Sequence, residues 1–326
     1  MDTHENPPGR RIRSHRPSPH SPPYRKRCRA AARGLRRLPQ PGPRRPRPAP
    51  RSHAHPTRRP RRKCRRQNPR RNQTPSSHPP THRIPPRIDL RHFDRDFALT
   101  NQLRTEGTRN LTTAAANAGV DRFIAQSFAG WPYARKGIRL KTEEDELDPD
   151  PPAQLKTTLD ALRTLEATVL REPRFIGVVL RYGPLYGPHT SIALGGNGAP
   201  EGSVIEDLRH HKLPLIGQGT GAWSFLHIHD AATATVAALT QAQRGIYNIV
   251  DDDPALVSDW LPYLAECVGA KPPMHVPNTI AHMMVGEHAV ALMNDIRGVS
   301  NEKAKHDLSW TPKWTSWRQG FREGLG

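Results

Sequence analysis

From Ile88 onward the chain alternates between two apolar patterns. Over Leu99–Ala118 the apolar positions Leu103, Leu111, Ala114 and Ala115 recur at helical spacing, and Gly119 offers a C-cap. Val120–Ser127 follows as a short continuous apolar run, the form of a strand buried on both faces. The alternation continues with a helix over Leu155–Leu170 (Leu159, Leu162, Leu165, Val169) and a strand over Phe175–Arg181. Next come an alanine-rich helix over Ile228–Leu239, a strand over Gly245–Val250, and a helix over Val257–Val268 ended by Gly269. Asp230 sits in the first turn of its helix, where a carboxylate suits the dipole. Buried strands alternating with amphipathic helices predict an α/β protein, with a parallel sheet covered on both faces.

Residues 1–88 carry no such pattern. They hold 26 Lys and Arg against 2 Asp and Glu, and 20 of the 35 prolines. The remainder holds 24 basic and 28 acidic residues, so the net charge of +20 belongs to the N-terminal stretch. With so few aliphatics the segment cannot offset the entropy of ordering, which predicts disorder over 1–84. Three readings stay open: an electrostatic nucleic-acid arm, with only Tyr24 to stack on a base; a stretch without a role; and a shifted reading frame. The third rests on codons. Arg10, Arg13 and Arg16 are spaced so that a one-base shift yields Gly-x-x-Gly-x-x-Gly. With permitted codons, Glu5 to Ser18 re-reads as K-I-L-L-A-G-A-S-G-A-I-G-P, an apolar strand running into a glycine-rich loop. Ser77 to Arg83 re-reads as V-I-H-Q-L-T-A, a buried-strand pattern.

No run of 18 apolar residues occurs, and no apolar stretch follows the basic N-terminus, so neither a membrane helix nor a secretory signal is expected. Cys28, Cys64 and Cys267 form neither a disulfide framework nor a metal pattern, and a cytoplasmic location is expected.

A series of motifs follows in order: Asn101 with Thr105-Glu-Gly-Thr108-Arg-Asn110, the run ending at Ser127, Leu180-Arg-Tyr-Gly-Pro-Leu-Tyr-Gly-Pro188, Gly217-Gln-Gly-Thr-Gly221 leading to Trp223-Ser-Phe-Leu-His-Ile-His-Asp230, Tyr247-Asn-Ile, and Ser300-Asn-Glu-Lys with Leu308-Ser-Trp-Thr-Pro312. Taken together they resemble extended short-chain dehydrogenases/reductases of the NAD-dependent epimerase/dehydratase type. The resemblance implies a doubly wound, Rossmann-like parallel sheet whose N-terminal βαβ part is missing, with a smaller C-terminal substrate domain. It implies a partial NAD(P)-binding domain over 85–187 and C-terminal segments over 188–326, with 228–250 returning to the sheet. NAD or NADP is the implied cofactor, a small, sugar-like molecule the implied substrate, and a homodimer is compatible with it.

The chain departs from that family twice. The glycine-rich turn that places a pyrophosphate on a helix N-terminus is absent as written, and Gly195-Gly-Asn-Gly198 has neither the strand before it nor the helix after it. The resemblance also implies a Tyr with Lys four residues later on one helix face. Counting back from Glu166, Thr158 and Leu162 stand in those places, and Tyr133-Ala-Arg-Lys136 has the wrong spacing. A chain impaired as written is therefore expected. By the resemblance, Ser127 is the substrate-bonding hydroxyl and Tyr133 a replacement acid. Ser127, Arg181, Tyr182, Gly183 and Pro184 would line the cofactor, and Tyr186, Trp223, Phe225 and His227 the substrate crevice. Trp223, Phe225 and His227 alternate as if on one face of a strand, equally the pattern of an aromatic core. His227 and His229 lack further ligands, so no metal is expected. Glu143-Glu-Asp-Glu146 reads as a solvated acidic loop and His210-His211 as an exposed helix end. The rival function is a non-enzymatic binding protein, either nucleic-acid-associated or cofactor-sensing.

Overall fold

The three apolar runs become neighbouring strands of one sheet. The computed structural model describes residues 93–137, 139–195 and 200–326, all within a unit that spans Thr74–Gly326. The readings made for residues 1–84, and for most of Gly195–Gly198, lie outside the described residues.

Helices α1 (Phe93–Asp96), α2 (Ala98–Gln102) and α3 (Thr108–Ala118) come first, with a π-helical turn at Leu103–Gly107 between the last two. Gly119 closes α3 in the left-handed region, φ 69°. Strand β1 (Arg122–Phe128) leads through β2 (Leu140–Lys141) to helix α4 (Lys156–Arg171) and strand β3 (Ile176–Tyr182). After β4 (Leu185–Tyr186), α5 (Ser203–Arg209), β5 (Leu215–Ile216), β6 (Ala222–Trp223) and β7 (Leu226–His227), helix α6 (Ile228–Gln241) feeds strand β8 (Gly245–Ile249). Then follow β9 (Ala255–Leu256), α7 (Val257–Cys267), β10 (His275–Val276), α8 (Asn278–Val285), α9 (Glu287–Asn294), β11 (Gly298–Val299), α10 (Glu302–Leu308) and α11 (Trp317–Glu323).

The main sheet runs β1-β3-β8, all parallel. Helix α4 packs on β1 and β3 from one side, and α6 from the other. On α4 the predicted stripe Leu159, Leu162, Leu165 and Val169 is buried, and Glu166 is buried among it. The helix is capped from outside: the Asp94 carboxylate accepts the N–H groups of Thr157 (3.1 Å) and Thr158 (3.0 Å), two of the donors a helix start leaves unpaired. Gly177 lets α4 and β3 approach; a Cβ there would lie 2.2 Å from the Val169 carbonyl oxygen. Gly177→Ala is therefore expected to destabilise the fold by about 1–3 kcal/mol in urea unfolding, because backbone must shift.

Between α5 and α11 a second core gathers around Tyr186, Phe225, Trp260, Trp317 and Phe321. Tyr186 meets Phe321 edge-on at 5.3 Å, and Phe225 meets Trp260 likewise at 5.3 Å. Trp223, Phe225 and His227 do not share one strand. Trp223 ends β6, which pairs with β9, and His227 ends β7, which pairs with β4. The alternation reflects two short strands with Phe225 buried between them. The acidic loop is also more engaged than its composition predicted: Glu143 is half-buried and accepts the Asn248 N–H at 2.7 Å. His210 and His211 are exposed past the end of α5.

Candidate functional site

In a parallel sheet side chains alternate between faces, and residues in register share one. The pairing sets Ser127 beside Arg181, and Arg181 beside Asn248, as a polar row across β1, β3 and β8 near their C-terminal ends. That row faces α4 and the loop after β1. Tyr182, one residue on, points to the opposite face, where its hydroxyl meets Thr235 and the Ala231 carbonyl of α6.

The row joins Glu166 and Tyr133 in one continuous hydrogen-bond network. Arg181 grips Glu166 with two bonds, Nε to Oε1 at 2.8 Å and Nη2 to Oε2 at 2.6 Å. Ser127 Oγ donates to the same Oε1 at 2.7 Å. Arg181 Nη1 donates to the Tyr133 hydroxyl at 2.8 Å, which donates onward to Asn248 Oδ1 at 2.7 Å. All five side chains are buried, and the guanidinium also stands over the Tyr133 ring, 5.0 Å from its centre. Burial opposes the Arg181 charge, but Glu166 and Tyr133 more than offset it and raise its pKa. Burial pushes the Tyr133 phenol up to about 12, against the lowering influence of Arg181. Tyr133 is thus a neutral donor at pH 7, and its proton is committed to Asn248. The Asn248 Nδ2 has no partner among the described residues.

The network unites Ser127, Tyr133 and Arg181 with two residues the sequence reading had not singled out. Glu166 carried a signal, being a carboxylate inside the apolar stripe of α4, and Asn248 carried another, being an amide inside an apolar strand. Gly183 and Pro184 lie past the end of β3. At Gly183 a Cβ would fall 2.0 Å from the Ser224 carbonyl oxygen, so the glycine serves a close backbone approach. Tyr186, Trp223 and Phe225 stand in the second core. His227 acts as the N-cap of α6, accepting the His229 N–H on Nδ1 at 3.1 Å, with Nε2 3.0 Å from the Gly324 carbonyl oxygen. His229 pairs with Asp230, and among the described residues no group of three or more side chains is placed to hold a metal.

The two places where the resemblance implies a Tyr–Lys pair are filled by other chemistry. Thr158 is sealed: its hydroxyl donates to Asp94 Oδ1 at 2.6 Å and accepts from Asn101 Nδ2 at 2.9 Å. Leu162 is fully buried in the helix–sheet core.

A second buried acid lies just past β8. Asp251 accepts the Asp253 N–H on Oδ1 at 3.3 Å, while among the described residues its Oδ2 and the Tyr186 hydroxyl have no partner. Burial pushes its pKa well above the usual carboxylate range, with Asp252 and Asp253 adding to the effect. A carboxyl whose folded pKa is raised contributes stability present below its unfolded value, about 4, and lost as pH rises through the folded one. Asp251→Asn is expected to gain of order 1–3 kcal/mol at pH 8 and little at pH 4, as the uncompensated charge is removed. Equal urea midpoints for variant and parent at pH 8 would contradict this.

Residues 92–250 match the NAD dependent epimerase/dehydratase family. A 3-diazoavenalumate denitrifying reductase from a Streptomyces species is 39% identical over 226 residues, covering 69% of this chain and 72% of that protein. Among solved structures, a human epimerase family protein with NADPH aligns with TM-score 0.58 at 17% identity, covering 75% of this chain and 79% of that one. UDP-glucose 4-epimerase from Thermotoga maritima aligns with TM-score 0.55 at 20% identity, covering 73% and 72%. Their common ground with this chain is a Rossmann-like parallel sheet, and with the sequence match it places the chain: it belongs to the NAD dependent epimerase/dehydratase family.

Proposed function

We propose that this chain is the body of an NAD(P)H-dependent reductase that reduces a small electrophile without drawing a proton from a Tyr–Lys pair. The observation that carries this is the filling of those two places by a sealed Thr158 and a buried Leu162. A relative of 39% identity is itself named a reductase.

The described residues fit one end of a dinucleotide. Just past Ser127, Gly130 holds φ 95° with no atom within 4 Å of a would-be Cβ, so the loop after β1 borders open space beside the strand ends. Ser127, Gly183 and Pro184 would form the wall there, while the Tyr182 side chain lies on the other face of the sheet against α6. The polar row held by Arg181 and Glu166 fixes the ends of β1, β3 and β8 behind that wall. For the pyrophosphate, the described residues offer no glycine-rich turn, and Leu162 leaves the ribose without a lysine. Bound NAD(P)H would supply a hydride.

The missing proton donor narrows the substrate. Carbonyl reduction creates an alkoxide that needs a proton, which a general acid supplies. A denitrifying reduction of a diazonium-like carbon needs none: the carbon–nitrogen bond breaks, dinitrogen leaves with its electron pair, and hydride brings the pair for the new C–H bond. A diazo-bearing molecule therefore fits this site better than the sugar-like substrate first expected. The reading also covers a partial cofactor domain before residue 188 with the C-terminal segments closing the substrate side.

The test follows absorbance at 340 nm with the chain as printed and with a frame-restored chain. The restored chain is expected to oxidise NADH or NADPH in the presence of an aryl diazonium salt, releasing dinitrogen, and to leave UDP-glucose untouched. A restored chain that binds the cofactor but turns over only the sugar nucleotide would sink the proposal.

A further inference from the structure

Two arginines stand side by side with nothing to hold. β11 pairs with β2 in parallel, Gly298 beside Leu140 and Val299 beside Lys141. Carried back one residue, the same register sets Arg297 beside Arg139. Neighbouring strands lie about 4.8 Å apart, and residues in register share a face. Two like charges so placed cost energy unless something negative joins them.

The neighbouring ions do not supply it. Arg135 takes Asp148 at 2.8 Å and lies 4.0 Å from Asp295, the carboxylate two residues before Arg297. Lys141 holds Asp145 at 3.2 Å. Among the described residues neither Arg297 nor Arg139 forms an ion pair, and the Arg297 Nε is buried without a partner. Outside the described residues the chain has only three carboxylate side chains, Asp2, Glu5 and Asp89. A half-buried guanidinium with no counter-charge is costly to keep.

The backbone presents this pair to the substrate side. Val299 packs with Ala129, Tyr133 and Val250, so β11 lies against the loop after β1, the one whose Gly130 borders open space. Before Arg297, the Ile296 carbonyl accepts the Ala222 N–H at 3.0 Å. After it, the Val299 N–H donates to Ser224 Oγ at 2.8 Å. The chain is thus fixed on both sides of Arg297, while Arg139 is exposed beside it.

We propose that Arg297 and Arg139 form a carboxylate-binding subsite that takes an acid group of the molecule reduced at the strand ends. A carboxylate is planar and accepts two parallel N–H bonds from one guanidinium fork. Held there, it would satisfy Arg297 and relieve the repulsion with Arg139. The substrate is then a diazo compound that also carries a carboxylate. That last step rests on the reductase reading; the demand of the two arginines for an anion does not.

Calorimetric titration of the full chain as printed with benzoate, and with its neutral counterpart benzamide, tests the subsite. Benzoate is expected to bind the parent at least about tenfold more tightly than benzamide, since the hydrogen bonds to a charged group are the stronger ones. Arg297→Gln should abolish that preference. Arg297→Lys, which keeps the charge and loses the fork, should keep only part of it. Arg139 is exposed, so Arg139→Gln should weaken benzoate binding without changing the thermal midpoint. Benzoate held no better than benzamide, benzoate binding that survives Arg297→Gln, or inorganic phosphate held where benzoate is not, overturns the proposal. A protein that holds benzoate through Arg297 yet reduces no diazonium salt upholds this inference and refutes the reductase. One that reduces diazonium salts but does not distinguish benzoate from benzamide does the reverse.

Discussion

The chain as printed should leave the fluorescence of NADH and NADPH unchanged, while the chain read in the shifted frame should bind at least one of them. The expected difference is large because the shifted frame would supply the part that meets charge. A glycine-rich turn lets backbone N–H groups reach the pyrophosphate and aims a helix N-terminus at it. Two hydrogen bonds to a charged group, at about 1.5–3 kcal/mol each, correspond to roughly 10²–10⁴ in affinity. The described residues hold nothing to replace them: Leu162 is aliphatic and buried, and the Arg181 guanidinium is already spent on Glu166 and Tyr133. Fluorescence titration of both chains, at matched ionic strength, reads the difference directly. Equal affinity in the two would mean that the cradle lies among residues 93–326 after all.

The sheet was legible in the sequence because its strands are short continuous apolar runs, at 120–127, 175–181 and 245–250; β3 is buried along nearly its whole length, while β1 and the start of β8 are only half-buried. The helices α4, α6 and α7 were legible from spacing: each keeps a partner on its apolar stripe. α3 was legible as a helix, but its buried face was not. Its leucine and alanine stripe predicted one orientation, and the available partner, α4, is met by Thr108 and Thr112 instead. A stripe names a face that wants burial; only the neighbouring element decides whether it gets it. The π-helical turn at Leu103–Gly107 left no mark in the pattern.

The candidate site was half legible. Ser127, Tyr133 and Arg181 were found from their places after strands, yet what joins them is Glu166 on a helix and Asn248 on a third strand. Sequence spacing relates residues along one element; a network across four elements depends on register, which fixes that Ser127, Arg181 and Asn248 share a face. The same register separates Arg181 from Tyr182, adjacent in sequence and on opposite sides of the sheet. The aromatic stretch from Trp223 to His227 read ambiguously as crevice or core because both uses want the same side chains.

Replacing Arg181 by leucine is expected to destabilise the protein by about 3–5 kcal/mol at pH 8. The substitution removes a guanidinium that makes three of the network's hydrogen bonds and leaves the Glu166 carboxylate buried with only the Ser127 hydroxyl. An uncompensated buried carboxylate takes up a proton more readily, so its folded pKa rises. Stability then falls as pH increases through that raised value, and the deficit of Arg181→Leu should shrink between pH 8 and pH 5. Removing both partners tests whether the charge or the volume matters. Glu166→Leu combined with Arg181→Leu should recover much of the loss, since a buried ion pair replaced by packed apolar groups is often near neutral. Urea unfolding of the parent, the single variant and the double variant at both pH values measures all of this. A cost under 1 kcal/mol at pH 8, or a double variant no better than the single, would mean that Glu166 is not held as an ion by Arg181. The polar row would then have no fixed charge at its centre. Ser127 and Tyr133 would be free to turn toward a ligand, and the strand ends would have to be held by packing alone.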